Sequence, residues 1–248
     1  LARLKQWAEV GSRQDTQLWV QLNHPGKQSP NMVTKQPVAP SAIPLEARFS
    51  RYFNPPRELN EADIHDIIQR FARAAAVVKQ AGFGGVQIHG AHGYLVSQFL
   101  SPHHNQRTDQ WGGSLQNRAR FVMEIYRAIR EQVGAEFPVS IKLNSADFQR
   151  GGFTEEESMA VEEMLDQAGM DLIEISGGNY ESPNMTGKNV KASTAAREAY
   201  FMEYAEQIRT RVQTALMVTG GFRSAEGMVR AIESGATDMV GLARPLAV

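Results

Sequence analysis

The sequence predicts an α/β fold of the (β/α)8 barrel class, in which this chain supplies about six of the eight strands. Six β-rich runs alternate along the chain with segments that have apolar residues at helical spacing. Strands that are separated by helices pair in parallel through right-handed crossovers. Polar side chains also gather where the runs end, as they do in a closed barrel, and this favours a barrel over an open doubly wound sheet.

The strands and helices can be placed from their patterns. The β-rich runs are Leu18–Leu22, Val86–His89, Val139–Leu143, Leu172–Ser176, Leu216–Thr219 and Met239–Leu242. Two of the intervening helices have an apolar face, formed in the first by Ile64, Ile67, Ile68, Phe71, Ala75 and Val78 and in the second by Phe121, Ile125, Ile129 and Val133.

Helix boundaries follow from capping chemistry. Thr154 and Glu157 have the spacing of a capping box, in which each side chain bonds a backbone amide of the other residue. Helices are predicted to close where the next residue can adopt a left-handed conformation, at Gly82, Gly134, Gly169 and Gly235.

The segment has fewer strands than a closed barrel needs. A helix over residues 1–13 precedes the first run, and the chain stops directly after the last one. We therefore expect a single barrel domain over residues 1–248 that is truncated at both ends. The Pro-rich stretch Gly26–Pro56 is too long for a plain connection, so it is expected to form a lid or rim.

Composition excludes several classes of function for this segment. The 248 residues carry a formal net charge of −1, which gives no indication of nucleic acid or of an anionic membrane as a partner. The longest apolar stretches, such as Ala74–Val78, are far too short to span a membrane. Cysteine is absent, which excludes disulfides, thiolate nucleophiles and iron–sulfur ligation here. No signal-type stretch follows Leu1, so a cytoplasmic location is expected.

The run HGAHGY gives the most specific indication of catalytic chemistry in the sequence. His89 and His92 leave a strand through glycines and can direct two N–H donors at one oxygen, while the phenol of Tyr94 can give a proton to a neighbouring carbon. The alternative is that His89 is a satisfied core histidine and Tyr94 only packs. A zinc site at His103 and His104 is also conceivable, but no carboxylate or thiolate completes a ligand set at suitable spacing.

Three further strand ends carry a charge or a glycine turn. TGGF lies before a helix, and Arg244 follows the next strand; together they are typical of a phosphate site built on backbone amides and a guanidinium. Lys142 points inward if the strand alternates. Such a lysine either binds an anion, acts as a Schiff-base nucleophile, or forms an ion pair with Glu174 on the following strand.

The run HGAHGYLVSQFLSPHHNQRTDQWGGSLQNRARF closely resembles the Old Yellow Enzyme family of NAD(P)H:flavin oxidoreductases, and within it the bacterial branch with a His-x-x-His pair. VQLNHPGKQ, IKLNSADF and VTGGF…VGLARP resemble further family signatures in the same order. The resemblance spans nearly the whole chain. It implies an FMN-binding barrel whose third to eighth strands are present.

The resemblance also implies how FMN is held. Gln21 corresponds to the amide that pairs with the flavin pyrimidine edge. Lys142 lies where the family usually has an arginine beside N1 and the O2 carbonyl; this is a departure that replaces a planar fork with a point charge. The cradle of the phosphate is expected at Gly221, Phe222, Ala243 and Arg244.

For the substrate, the resemblance implies an ene-reductase. NADH or NADPH reduces the flavin and leaves, and a small α,β-unsaturated carbonyl compound then binds with its oxygen at His89 and His92. Hydride is transferred to Cβ, and Tyr94 protonates Cα. The family also allows a homo-oligomer. No metal site is expected.

Three alternatives remain open from the sequence. The first is an aldolase or lyase in which Lys142 forms a Schiff base and TGGF with Arg244 binds a phosphosubstrate. The second is a non-catalytic flavin carrier. The third is a 2,4-dienoyl-CoA reductase type of the same family, whose iron–sulfur cysteines would lie beyond Val248.

Overall fold

The strands lie where the sequence predicts them. The computed structural model describes residues 1–182, 201–243 and 246. One sheet of six strands has the order β1-β4-β5-β6-β7-β8, and the registers of the pairs β1–β4, β6–β7 and β7–β8 are parallel. The strands of this sheet are β1 (Trp19–Leu22), β4 (Gly85–Gly90), β5 (Val139–Asn144), β6 (Leu172–Ser176), β7 (Ala215–Thr219) and β8 (Met239–Gly241).

Seven α-helices of the described residues alternate with these strands. They are α1 (Ala2–Gly11), α2 (Glu61–Ala81), α3 (Leu95–Leu100), α4 (Leu115–Val133), α5 (Glu155–Gln167), α6 (Met202–Arg209) and α7 (Ala225–Glu233). Strand followed by helix along the chain is the order that parallel pairing requires.

The capping chemistry accounts for where the helices begin and end. The predicted box at Thr154 and Glu157 is present and starts α5. A second box, which the sequence analysis did not predict, starts α2 at Asn60 with Asp63. α2 ends at Gly82, whose φ of 92° is in the left-handed region that glycine adopts without a steric penalty.

The chain divides into two compact units, described separately. The first unit holds Leu1–Gly90 and Tyr94–Ile141. Its core forms where α2 packs on α4 and on the strands β1 and β4. The predicted apolar faces are buried there as expected, from Ile64, Ile67, Ile68, Phe71, Ala75 and Val78 in α2 and from Phe121, Ile125, Ile129 and Val133 in α4.

The second unit holds Ala91–Gly93 and Lys142–Val248. β6 pairs with β7 from Leu172 opposite Ala215, and β7 pairs with β8. α5 and α6 pack together in this unit. Every residue of β6 is buried, as is typical of a strand in a parallel sheet with both faces covered.

The Pro-rich excursion between β1 and α2 contains two short strands that the sequence analysis missed. β2 (Val38–Ala39) pairs in parallel with β3 (Arg57–Glu58). The excursion is held by a buried cation, since the Nζ atom of Lys27 lies 3.3 Å from the carbonyl oxygen of Ile43 and 3.0 Å from Nδ1 of His104. Its expected role as a lid or rim stays a prediction.

None of the helices in the described ranges has the length and apolar character that crossing a membrane would require.

Candidate active site

The end of β4 brings two of the predicted catalytic side chains together in the first unit. The rings of His89 and Tyr94 are in edge contact, with centroids 4.8 Å apart and planes at 70°. His89 is the fifth residue of β4 and is buried, while Tyr94 immediately precedes α3. The phenol and one imidazole are thus fixed by a strand on one side and by a helix start on the other.

The third predicted catalytic residue, His92, belongs to the second unit. Its backbone is left-handed, with a φ of 62°, which is unusual for a residue other than glycine. Its N–H donates to Oδ1 of Asn144 (3.1 Å), and its Nε2 lies 2.8 Å from Oγ of Ser176. Burial, assisted by the positive charge of Lys142, lowers the pKa of His92 to about 4. His92 is therefore a neutral imidazole at neutral pH.

Lys142 forms the ion pair that the sequence analysis considered. Its Nζ lies 2.9 Å from Oε1 of Glu174, and the two side chains are 18% and 5% exposed. The amine that a Schiff base would need is thus engaged with a carboxylate on the neighbouring strand. Nothing in the described residues favours the aldolase or lyase alternative over a flavin site.

Two residues of this region were missed as site residues. Asn144 and Ser176 are the last residues of β5 and β6, and both are buried. The Nδ2 atom of Asn144 donates to Oδ1 of Asp147 (3.3 Å) and to the carbonyl of Gly178 (3.1 Å). Their place at strand ends was a usable signal, but which group each would hold could not be deduced from the sequence.

Gln21 lies on β1 of the first unit with its side chain exposed. Its Nε2 donates to Oε1 of Gln87, which is directly opposite on β4, at 2.7 Å. An exposed amide at this position offers one donor and one acceptor to a ligand. Gln87, which lies opposite Gln21 and accepts this hydrogen bond, was not among the predicted site residues.

The predicted phosphate loop follows β7 in the second unit. Gly220 and Gly221 have φ values of 125° and 87°, which residues with a side chain rarely adopt. Phe222 is buried, and Ser224 caps α7 by accepting from the N–H of Gly227 at 3.1 Å. Ala243 is exposed after β8. Arg244 lies outside the described residues, so its predicted role remains a prediction.

The histidines considered for zinc are engaged elsewhere. His104 contacts the buried Lys27 ammonium, and burial, together with the charges of Lys27 and His103, lowers the pKa of His104 well below 6.5. A cation at this distance opposes a metal ion. The described residues contain no group of three or more histidine, aspartate or glutamate side chains that could hold one.

Comparison with known proteins identifies the family. A family model described as the NADH:flavin oxidoreductase / NADH oxidase family matches residues 2–248. The chain belongs to this family. The resemblance to Old Yellow Enzymes is thereby confirmed, as is the prediction of an oxidoreductase family that works with FMN and NAD(P)H.

Individual members of the NADH:flavin oxidoreductase family are similar over almost the whole chain. The NADH-dependent flavin oxidoreductase iccE of Talaromyces variabilis is 40% identical over 98% of this chain. The match covers 63% of that relative, so the chain spans less than two thirds of its length. The narrower assignment to a bacterial branch stays a prediction.

Solved structures confirm the predicted fold class. A 2-naphthoyl-CoA reductase in complex with 2-naphthoyl-CoA superposes with a TM-score of 0.85 at 30% identity, over 96% of this chain and 37% of that one. Morphinone reductase superposes with a TM-score of 0.77 at 29% identity, over 98% and 66%.

The residues present fit FMN. Consecutive left-handed glycines in the loop that leads into the capped helix α7 leave backbone amides unobstructed by a Cβ, as a phosphate site requires. The exposed Gln21 amide in the first unit and, separately, the Lys142 ammonium in the second unit are polar groups of the kind that a flavin's polar atoms accept bonds from, and their roles stay predictions.

Proposed function

We propose that this protein is an ene-reductase, which uses NADH or NADPH as the source of electrons and reduces the C=C bond of a small α,β-unsaturated carbonyl compound. The observation that carries this proposal is the edge contact between the Tyr94 phenol and the buried His89 imidazole in the first unit. His92, two residues before Tyr94 in the sequence, is a neutral imidazole. This set combines hydrogen-bond donors for an oxygen with a separate proton donor.

The residues that hold FMN follow from the fit and from the family. Gln21 would hold the flavin ring through its amide and Lys142 would supply positive charge to it, while the glycine turn would hold the phosphate in a cradle of Gly221, Phe222, Ala243 and Arg244. FMN, when bound, supplies the hydride that goes to Cβ of the substrate.

The protein's own groups stabilise the charge that develops on the substrate and move one proton. His89 and His92 donate hydrogen bonds to the carbonyl oxygen, and these bonds strengthen as negative charge develops on that oxygen. Tyr94 gives its phenolic proton to Cα. His92 is unsuited to that step, because with a pKa of about 4 it carries no extra proton at neutral pH.

Substitution of Tyr94 separates the two halves of the reaction. In Tyr94→Phe, reduction of the enzyme by NAD(P)H is expected to stay near the wild-type rate, while reduction of an enone such as 2-cyclohexenone slows by about 10²- to 10⁴-fold. Stopped-flow absorption at the flavin band follows each half separately. Unchanged enone turnover would assign the proton to another group or to water.

The histidines are tested by binding. The double variant His89→Ala and His92→Ala is expected to weaken binding of phenol, whose oxygen takes the place of the substrate's carbonyl oxygen. Unaltered phenol affinity would contradict the role assigned to both histidines.

The cytoplasmic location and the homo-oligomer also remain predictions.

A further inference from the structure

The excursion between β1 and α2 contains a lobe formed by residues 30–36 and 46–54, which we name the excursion lobe. Its two segments are joined by an antiparallel bridge between Pro30 and Phe53. The Nδ2 atom of Asn54 adds a bond to the carbonyl of Lys35 at 3.0 Å. The excursion lobe therefore has a defined backbone structure.

Large apolar side chains of the excursion lobe lie in solvent. Met32 and Val33 are 89% and 74% exposed, and Tyr52 is 58% exposed. The turn that presents the first two is closed by the N–H of Val33, which donates to the carbonyl of Pro30 at 2.9 Å. Single exposed apolar residues are ordinary on a protein surface, but several on one small ordered lobe indicate a binding surface.

The charged groups of the excursion lobe are mainly basic. Arg48 pairs with Glu46, its Nε lying 2.9 Å from Oε2 of the carboxylate. Lys35 and Arg51 are both exposed, and neither forms an ion pair with a carboxylate of the described residues. These two cations can therefore bind an anion from outside the chain without breaking an internal ion pair.

Arg51 and Tyr52 are held side by side before any ligand binds. The guanidinium carbon of Arg51 lies 5.9 Å from the centroid of the Tyr52 ring, within the range of a cation–π contact. Asn31 fixes the backbone of both residues, because its N–H donates to the Tyr52 carbonyl and its Nδ2 to the Arg51 carbonyl, each at 2.9 Å. A ligand that used the ring and the cation together would therefore lose little of its affinity to ordering them.

An aromatic face beside unpaired cations is the combination that binds a nucleotide. A base stacks on the aromatic ring, and phosphate oxygens accept hydrogen bonds from a guanidinium or an ammonium. A polynucleotide would need a longer basic stripe than the one that Lys35 and Arg51 provide. The chemistry of the excursion lobe therefore fits the adenosine phosphate of a single small molecule.

The excursion starts at the edge where the proposed reaction takes place. It follows the end of β1, the strand of Gln21, and the carbonyl of His24 at this point accepts from the N–H of Leu95 at 3.0 Å. Leu95 directly follows Tyr94 and begins α3. The start of the excursion thus lies beside the proposed proton donor, within the first unit.

We propose that the excursion lobe binds the adenosine phosphate half of the nicotinamide donor, with adenine stacked on the Tyr52 ring and phosphate oxygens bound by Arg51 and Lys35. The inference rests on the part of the proposed function in which NADH or NADPH supplies the electrons, and it is independent of the enone. The phosphate is either the bridge that both donors contain or the 2′-phosphate that only NADPH carries, and a comparison of the two donors distinguishes these sources.

Reduced nicotinamide mononucleotide isolates this half of the donor, because it carries the reactive ring and lacks the adenosine phosphate. Anaerobic stopped-flow absorption follows flavin reduction in the holoenzyme by this compound, by NADH and by NADPH. In the wild type, the mononucleotide should need about 10-fold more than the better dinucleotide for half-saturation. Arg51→Gln and Tyr52→Leu should each raise the half-saturating concentration of the dinucleotide about 5- to 10-fold and leave its limiting rate, and the response to the mononucleotide, unchanged. A rise for NADPH alone assigns the 2′-phosphate, and a rise for both donors assigns the bridge.

Arg13→Gln is the matched control. Arg13 is another exposed arginine of the first unit, and it precedes β1, whereas the excursion leaves from the other end of that strand. The control removes the same charge and should leave the response to every donor unchanged. Equal effects of Arg13→Gln and Arg51→Gln would refute a specific role for Arg51, and a wild type that responds equally to the mononucleotide and the dinucleotides would overturn the proposal.

Direct binding of adenosine diphosphates separates a failure of this inference from a failure of the proposed function. Calorimetric titration of the holoenzyme with adenosine 5′-diphosphate and with adenosine 2′,5′-diphosphate should detect binding of at least one of them, weakened about 5- to 10-fold in Arg51→Gln and in Tyr52→Leu. If neither NADH nor NADPH reduces the flavin, the proposed function fails while the titration still decides the role of the excursion lobe. If the flavin is reduced but wild type binds neither compound, or the variants bind them equally well, the proposed function stands and the role of the excursion lobe is refuted.

Discussion

Glu162 should make the stability of this protein fall as the pH rises. The residue lies in α5 of the second unit and is fully buried, and the Tyr204 hydroxyl donates to its Oε1 at 2.9 Å. Burial raises the pKa of Glu162 from 4.5 to about 8, and hydrogen bonds with Tyr204 and Ser158 oppose the shift only in part. The folded protein therefore holds a protonated carboxyl at neutral pH.

The size and sign of the effect follow from linkage between proton binding and folding. Below a pH of 4.5, both the folded and the unfolded chain keep the proton on Glu162. Between 4.5 and the folded pKa of about 8, only the folded chain does, so each pH unit lowers the free energy of unfolding by about 1.4 kcal/mol. From pH 5 to pH 7 the loss is about 3 kcal/mol, or roughly 6–12 °C in Tm for a chain of this size.

Glu162→Gln removes the titrating proton and keeps an acceptor for Tyr204. Relative to wild type, the variant should gain about 3 kcal/mol of unfolding free energy between pH 5 and pH 7, measured by urea denaturation across that range. Glu163→Gln is the control, because Glu163 is its partly exposed neighbour on the same helix and pairs with Arg211 at 3.4 Å. If the curves of wild type and Glu162→Gln run parallel in pH, the reasoning is refuted.

Two further substitutions test the packing of the site region. Glu174→Gln leaves Lys142 without its carboxylate and should lower the free energy of unfolding by about 3 kcal/mol. This is the lower end of the range for a buried ion pair, because Lys142 keeps some exposure. The double variant with Lys142→Met should recover the lost stability, and a single variant as stable as wild type would contradict the reasoning. Gly26→Ala should cost about 2–4 kcal/mol, because the residue has a φ of 57° and its new Cβ would lie 2.5 Å from the buried Gln98 amide. Gly82→Ala, at a φ of 92° with no atom within 4 Å, should cost only about 1 kcal/mol in the same denaturation assay, and equal costs would exclude the overlap with Gln98.

Local patterns were sufficient to predict most of the fold. The Thr154 capping box and the buried face of α4 depend on neighbours three or four residues away, and such local spacings can be recognised from the sequence alone. The strands β2 and β3 were missed because each has two residues, too few for any alternation to show.

The candidate site was only partly predictable for a related reason. The ion pair between Lys142 and Glu174 was foreseen, because consecutive parallel strands place such residues side by side. The bond between His92 and Ser176 joins residues 84 positions apart, and its partner is chosen by packing rather than by spacing. Nor does any sequence rule assign a left-handed backbone to His92, since glycine is the usual residue there.

The central claim, that this protein binds FMN and accepts electrons from NADH or NADPH, is tested most directly by its visible spectrum. The purified protein, supplied with FMN and freed of excess, is recorded before and after anaerobic addition of each nicotinamide. The account predicts a yellow protein whose flavin absorption is bleached by at least one of them. A colourless protein that takes up no FMN would contradict the account, and the assignments of Gln21, Lys142 and Gly221 would fail together.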